Sequence, residues 1–429
     1  MPDAQPDAPA PASPRTRRAL LAWEFGAGRT HIANLLGVAR HLRAAGVECV
    51  ATLYDPRFAA EFAALGIPVV QNYVWPARRR APIAWQERPV LSFGDVLANL
   101  GFASPPALGA SLAHYEGLFA LTRPDIVLAE NAPGALLAAR GKLPAIAFGT
   151  GSCLPPIVDG AFALQNGSGD APSWPVDYLR ARINTVLGAS GRPPLEQLGD
   201  LLGVEGVYPF GPIEFDLYAS QRQTPMLPPP TPGLDGPIPI AHGSEIFIYL
   251  HGLIQAKPQL MQGLAEIERP ARVFIPDLAD AEREKLPDSW TFERRAVPLP
   301  EIIDRSRCVI HHGGPQLTSI CLAAGLPQII IPKEPDNETG ARLVTGRGLG
   351  AARDISDVTA EWLASAAHRA YDDIALKQRC ETAAPEFARW FSADPTRIVA
   401  DAALKLIAPE RAPEQLQTFP VQERDNSEL

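Results

Sequence analysis

Two histidines of this 429-residue chain lie where a neutral imidazole and a free helix end could do chemistry. His31 falls in the first turn of a segment whose apolar residues Ile32, Leu35, Leu36, Ala39 and Leu42 recur at helical spacing up to Gly46. The positive end of that helix disfavours imidazolium, so the ring stays neutral and able to accept a proton. The plain alternative is a core histidine, because His31 shares a stripe with Leu35, Val38 and Leu42. Its first-turn position, beside a strand end and the close approach that Gly26 and Gly28 allow, favours the chemical role. His312 follows the apolar run 308–310 and His311, and precedes Gly313 and Gly314. Pro315 then opens a helix on which Leu317, Ile320, Cys321 and Ala324 recur. Strand, glycine turn and helix in that order form an anion site, since the first N–H groups of the helix and its dipole favour a phosphate. A second strand, 328–331, ends at Pro332 and brings Glu334, Asp336 and Asn337 to the same sheet edge. Two loops therefore meet at one crevice.

The elements that must position these residues follow from the same periodicities. Strand 19–23, a helix that Thr30 can cap, strand 47–53, helix 56–65 and strand 67–70 make a β-α-β-α-β unit and hence a parallel sheet. A helical segment 93–121, broken at Pro105 and Pro106, leads to strand 125–129, which ends at Glu130 and Asn131, then to helix 133–140 and strand 144–148. Residues 225–239 are rich in proline and read as a semi-rigid linker. Strand 245–250, with His251 and Gly252 at its exit, opens a second alternation of strands and helices. The predicted organisation is a disordered start at 1–15, an α/β domain at 16–220, a linker at 221–241, a second α/β domain at 242–391, a helix at 392–408 and a disordered tail at 409–429. Segment 72–92, with Trp75, Arg78 to Arg80 and Trp85, has no clean period and reads as a long loop, either functional or a solvated basic surface.

Composition narrows the function classes. A formal charge of -9, with no Lys/Arg block beyond Arg78 to Arg80, argues against a nucleic-acid surface. No apolar run is long enough to span a bilayer, and the start is not a signal peptide, so a cytoplasmic protein is expected. Five scattered cysteines lack metal-ligand spacing and read as reduced thiols, with no metal site.

His312-Gly313-Gly314, then Gly325-Leu326-Pro327, then Pro332 with Asp336-Asn337, Ala341 and Gly346 resembles the donor-binding motif of the GT-B nucleotide-sugar glycosyltransferases of the family-1, macrolide-glycosyltransferase type. Trp23-Glu24-Phe25-Gly26-Ala27-Gly28-Arg29-Thr30-His31 is similar to the start of a bacterial subgroup of that family, and the stretch 123–140 resembles it too. The resemblance implies two Rossmann-like domains facing a central cleft, with the last helix crossing back to the first domain. It implies that His31 deprotonates an acceptor hydroxyl. Glu130 falls where many members place an Asp that holds this His, although it also reads as an acid at a helix N-terminus. His312, Gly313, Gly314 and Gln316 would surround the diphosphate, Asp336 and Asn337 the sugar hydroxyls, His251 and Gly252 a loop near the phosphates, and the backbone of Pro298 and Leu299 the nucleobase.

Four positions depart from the family motif: Gln316 for a Gly, Leu317 for a phosphate-binding Ser or Thr, Ile320 for a Glu, and Gly340 for an Asn. The implied activity is inverting transfer of a sugar from a UDP or dTDP donor to a small-molecule or lipid acceptor, without cofactor or metal. A GT-B protein that binds without catalysing, or a nucleotide-sugar 2-epimerase, are the rival readings.

Overall fold

The structure is a computed structural model that describes residues 15–26, 29–76, 89–166, 171–234, 236–250, 257–276, 278–332 and 334–408. The expectations placed on Gly28, His251, Gly252, the basic loop at 78–85 and the two tails, 1–14 and 409–429, fall outside those residues.

The first sheet has six strands: β1 Arg18–Trp23, β2 Glu48–Leu53, β3 Val69–Gln71, β4 Ile126–Glu130, β5 Ala145–Thr150 and, after the short antiparallel hairpin β6 Ile157–Val158 and β7 Ala161–Phe162, β8 Gly206–Phe210. Their order is β3-β2-β1-β4-β5-β8, and every pairing in that sheet is parallel. All of β4 is buried, because helices cover both faces of a parallel sheet and leave no polar alternation. One face packs on helix Arg29–Ala44, the other on helices Pro105–Thr122, Pro133–Ala139 and Val176–Ala189.

The second sheet repeats the plan. Its strands are β9 Glu245–Tyr249, β10 Ala271–Phe274, β11 Thr291–Phe292, β12 Ser306–His311, β13 Gln328–Ile330 and β14 Gly350–Ala352, in the order β11-β10-β9-β12-β13-β14, all parallel. Strand order reverses between β1 and β4 in one sheet and between β9 and β12 in the other. At such a reversal the loops splay apart and leave a crevice outside the carboxyl ends of the strands. His31 and Glu130 lie at the first reversal, and Tyr249 and His312 at the second.

Several elements carry weak sequence signals. In β8 the run Gly206–Phe210 contains Pro209, which is tolerated because β8 is the last strand of the sheet. Its outer edge is partly covered by the linker, where Leu227 N–H donates to Pro209 O (2.8 Å) and Gly211 N–H to Leu227 O (2.9 Å). The linker is thus tied to the first domain. Helix Ile374–Ala388 holds Pro385 in its interior, and helix Val176–Ala189 has no side-chain cap.

The last helix, Pro395–Leu406, packs on helix Arg29–Ala44, burying Val399, Ala400 and Ala403 in the core of the first domain. Gly37 lets the two helices meet, because a Cβ there would lie 2.7 Å from Thr396 Cγ2. His41 Nε2 and Asp394 Oδ2 pair at 2.8 Å on the rim of this contact. Among the described residues no single helix is long and apolar enough to cross a membrane; only the pair Phe93–Phe102 and Pro105–Thr122, bent by 85°, reaches that length and composition.

Val399→Asp places an unpaired charge in this contact, so we expect a loss of about 3 kcal/mol or more, read as a lower thermal midpoint. An unchanged midpoint would mean that the helix is not part of the first domain's core.

Candidate functional site

His31 is 6% exposed, and its Nδ1 lies 2.7 Å from Glu130 Oε2. An ionised carboxylate only accepts, so Nδ1 carries the proton and Nε2 keeps a lone pair. The second oxygen, Oε1, accepts from Asn34 Nδ2 at 3.0 Å. Trp23 stacks on the His31 ring with centroids 5.6 Å apart, fixing its plane. Two glycines make the arrangement possible. A Cβ at Gly149, φ +134°, would lie 2.8 Å from Glu130 Oε1, and one at Gly26, φ +104°, would lie 2.2 Å from His31 Nε2. The longer Glu side chain therefore reaches His31 because Gly149 leaves room for it, and the Nε2 edge of the ring is open because residue 26 has no side chain.

The opposite wall belongs to the second domain. His312 packs edge-on against Tyr249, centroids 5.0 Å apart. Gly313 turns the chain at φ +88°, and a Cβ there would meet Ile330 Cγ2 at 2.7 Å, so the turn tolerates no side chain. Gly314 then precedes helix Pro315–Ala323, whose N-terminus opens on the cleft. Thr318 returns its hydroxyl to Gly314 O (2.9 Å) and Ser319 to Pro315 O (2.7 Å), so neither is an obvious substitute for the hydroxyl missing at Leu317. Leu317 itself lies on the cleft wall, partly buried, whereas Ile320 is fully buried core. Gln316 also lines the cleft, but its Nε2 donates to Pro230 O at 2.9 Å, tying the linker to the second domain.

Asp336 and Asn337 open helix Pro335–Gly346 on the same wall. Burial, and then the neighbouring Glu334, raise the Asp336 carboxyl to about 6, while His31 across the cleft pulls it the other way. Asn337 Oδ1 accepts from Glu334 N–H (3.3 Å), so the side chain expected on sugar hydroxyls also fastens its own helix start. Pro298 and Leu299 line the far end with Ala296, Val297 and Ile302.

Together these residues enclose a cleft of about 540 Å³, in the range of small-molecule sites. The structure brings His31, Gly26, Pro298, Leu299, His312, Gly314, Gln316, Asp336 and Asn337 to that one space, with Glu130 directly behind His31 and Gly313 beneath the turn. Further residues line it that sequence reasoning did not single out: Arg40, Glu61, Asn131, Thr150, Ser152, Cys153 and Tyr249. Asn34 was legible in principle, being one helical turn beyond His31 on the same face. Cys153 was not, because it is isolated in sequence; burial and then Glu130 push its thiol up to about 12, so it remains protonated.

Two groups near the site are structural. Glu24 is fully buried and accepts from Gly134 N–H (3.0 Å), Ala135 N–H (2.9 Å) and Tyr115 Oη (2.7 Å), fastening the start of helix Pro133–Ala139; burial raises it to about 7 against those hydrogen bonds. His311 points away from the cleft, with Nε2 2.9 Å from Gln328 Oε1 and Nδ1 accepting from Gly313 N–H (3.2 Å); burial, then His312, lower it to about 3. Among the described residues no group of three His, Cys, Asp or Glu side chains could hold a metal ion.

Glu130→Ala removes the acceptor from two buried donors, Asn34 Nδ2 and His31 Nδ1. We expect a loss of about 2–4 kcal/mol in denaturant unfolding, and a His31 ring free to change tautomer by NMR. A variant as stable as the parent with an unchanged His31 signal would show that the pair does not hold the ring.

Residues 258–404 match the family described as erythromycin biosynthesis protein CIII-like, C-terminal domain. Among curated relatives, the elloramycin glycosyltransferase ElmGT of Streptomyces olivaceus is 40% identical over 63 residues, 15% of this chain and 16% of its own. The NDP-glycosyltransferase YjiC of Bacillus subtilis (strain 168) is 31% identical over 96 residues, 22% of this chain and 24% of its own. These matches thus span a quarter or less of each relative's length.

Solved structures extend the likeness to nearly the whole chain. The glycosyltransferase SnogD from Streptomyces nogalater has a TM-score of 0.61 at 20% identity, covering 91% of this chain and 100% of its own. VinC, solved with dTDP, has a TM-score of 0.62 at 17% identity over 91% of this chain and 99% of its own. SpnG, a spinosyn rhamnosyltransferase solved with the spinosyn aglycone, has a TM-score of 0.62 at 18% identity over 90% and 100%. The chain therefore has the GT-B fold of these glycosyltransferases, and its residues 258–404 match the erythromycin biosynthesis protein CIII-like C-terminal domain.

Proposed function

We propose that the protein is an inverting glycosyltransferase that moves a sugar from a UDP or dTDP donor to a hydroxyl of a small-molecule or lipid acceptor. The observation that carries this reading is the His31–Glu130 pair of the first domain facing, across one cleft, the His312 turn, its helix N-terminus and Asp336 of the second. The acceptor hydroxyl gives its proton to His31 Nε2 as its oxygen bonds to the anomeric carbon from the face opposite the diphosphate. The bond from that carbon to the phosphate oxygen breaks, and the diphosphate leaves with the electron pair. Glu130 holds the ring in the reactive tautomer and stabilises the imidazolium that forms.

The N–H groups opening helix Pro315–Ala323 and the His312 ring are preorganised for the charge developing on the leaving diphosphate. Asp336 and Asn337 take sugar hydroxyls, and the backbone at Pro298 and Leu299 takes the base. The reading assigns no step to a metal or cofactor. A cytoplasmic location fits a nucleotide-sugar donor and five cysteines that are all free. That SpnG was solved with an aglycone, and VinC with dTDP, supports the assignment of acceptor and donor classes.

His31→Ala should keep its affinity for UDP or dTDP while transfer to a panel of hydroxylated aglycones falls ~10²–10⁴-fold. Transfer at the parental rate would dismiss His31 as the base. The Asp336 carboxyl, at about 6, predicts a pH signature. Above that value it is an acceptor for sugar hydroxyls, and below it the protonated form loses acceptor capacity. Affinity for the nucleotide sugar, whose diphosphate has no group titrating near 6, should therefore fall as pH drops through about 6, and Asp336→Asn should remove that fall. Parallel pH profiles for the parent and Asp336→Asn would take Asp336 off the sugar.

A further inference from the structure

A diphosphate brings at least two negative charges into the cleft, yet the described residues on the second-domain wall include no Lys or Arg. That wall carries Glu334 and Asp336 instead, and the Leu317 side chain supplies no hydrogen bond. The cations lie opposite. Arg29, Ala33, Leu36 and Arg40 recur at helical spacing along helix Arg29–Ala44, and all four line the cleft, so one helix face contributes two arginines to the first-domain wall. We propose that Arg29 is a phosphate-binding residue supplied by the first domain, compensating across the cleft for the anchor missing at Leu317.

Three contacts fix its position. Its guanidinium pairs end-on with Glu61, Nη1–Oε1 at 3.0 Å and Nη2–Oε2 at 2.7 Å, and lies 5.8 Å from the Phe58 ring centroid. Phe58 in turn packs on Trp23, at 5.9 Å, the same indole that stacks on His31. Arg29 is thereby built onto the scaffold of the proposed base, and it lines the same cleft as Tyr249. Tyr249 is the ring against which His312 packs. The Arg29 side chain is 42% exposed, and Glu61 engages one N–H of each terminal nitrogen out of the five a guanidinium carries, which leaves others for phosphate oxygens. An arginine is suited to this task because it stays charged and presents several donors in one plane.

This inference rests on the donor class proposed above, and the test separates the two. Calorimetry with UDP and dTDP, and displacement by uridine and thymidine, are run on the parent, Arg29→Ala and Arg29→Met, each checked by thermal melting. Methionine keeps a stem against Phe58 and guards against a packing effect. We expect both variants to bind the diphosphates ~10-fold or more weakly, with the nucleosides within twofold of the parent and a shallower salt dependence. Diphosphate affinity within twofold of the parent in either folded variant, or an equal loss for nucleosides, overturns the role of Arg29 and leaves the glycosyltransferase reading standing. A folded parent that binds neither diphosphate overturns both.

Discussion

The Glu130 carboxylate is buried at the end of a central strand, and much of the site depends on how it is kept there. An isolated carboxylate in such a place would be strongly destabilising and would take up a proton. It is held by two donors, His31 and Asn34, both from helix Arg29–Ala44 and one turn apart. Satisfying one charge thus fixes the rotation of that helix over the sheet. The same rotation turns Arg29, Ala33, Leu36 and Arg40 to the cleft and leaves Leu35, Val38 and Leu42 for the core. Removing the Cβ at Gly149 and at Gly26 is the steric counterpart of this electrostatic requirement.

The second constraint is that neither domain holds a complete site. His31 and Glu130 lie at the strand-order reversal of one sheet, and the His312 turn and Asp336 at that of the other. Their separation is set by contacts far from the chemistry. Helix Pro395–Leu406 packs on the first domain, Phe215 inserts among second-domain residues and packs edge-on against Trp390 at 5.5 Å, and Thr339 Oγ1 donates to Phe215 O at 3.1 Å. The proline-rich linker is hydrogen-bonded to β8 at one point and to Gln316 at another, so it acts as a strap along both domains.

Much of this was legible in the sequence, and the exceptions have physical causes. The two parallel sheets followed from apolar runs alternating with helical periods, and the His312 turn followed from glycines ahead of a proline-started helix. The pairing of His31 with Glu130 was not derivable from spacing, because 99 residues separate them and only the closure of β1 against β4, Trp23 opposite Glu130, brings them together. Residue-level reasoning left Glu130 between two roles, since whether the longer side chain fits depends on Gly149 in a third strand. Strand β8 was missed because a proline inside a short run reads as a break unless one knows that it lies at an edge. Gln316 illustrates the limit of motif transfer: its position matched a donor site, and its amide nitrogen is engaged by a linker carbonyl.

The cleft's charges are divided between its walls, and that division bears on how the reaction would be driven. Glu130 has two hydrogen-bond donors and no exposure. Asp336, on the cleft wall, is raised to about 6 by burial and then by Glu334. Two carboxylates near one histidine thus have different surroundings, one held as the partner of the ring and one lining the cleft. The second-domain wall, in contrast, presents a helix N-terminus and His312 with no Lys or Arg among its described residues, while Arg29 and Arg40 line the first-domain wall. A diphosphate bound in the cleft, as proposed above, would therefore have its charge met from both walls, each supplied by a different domain.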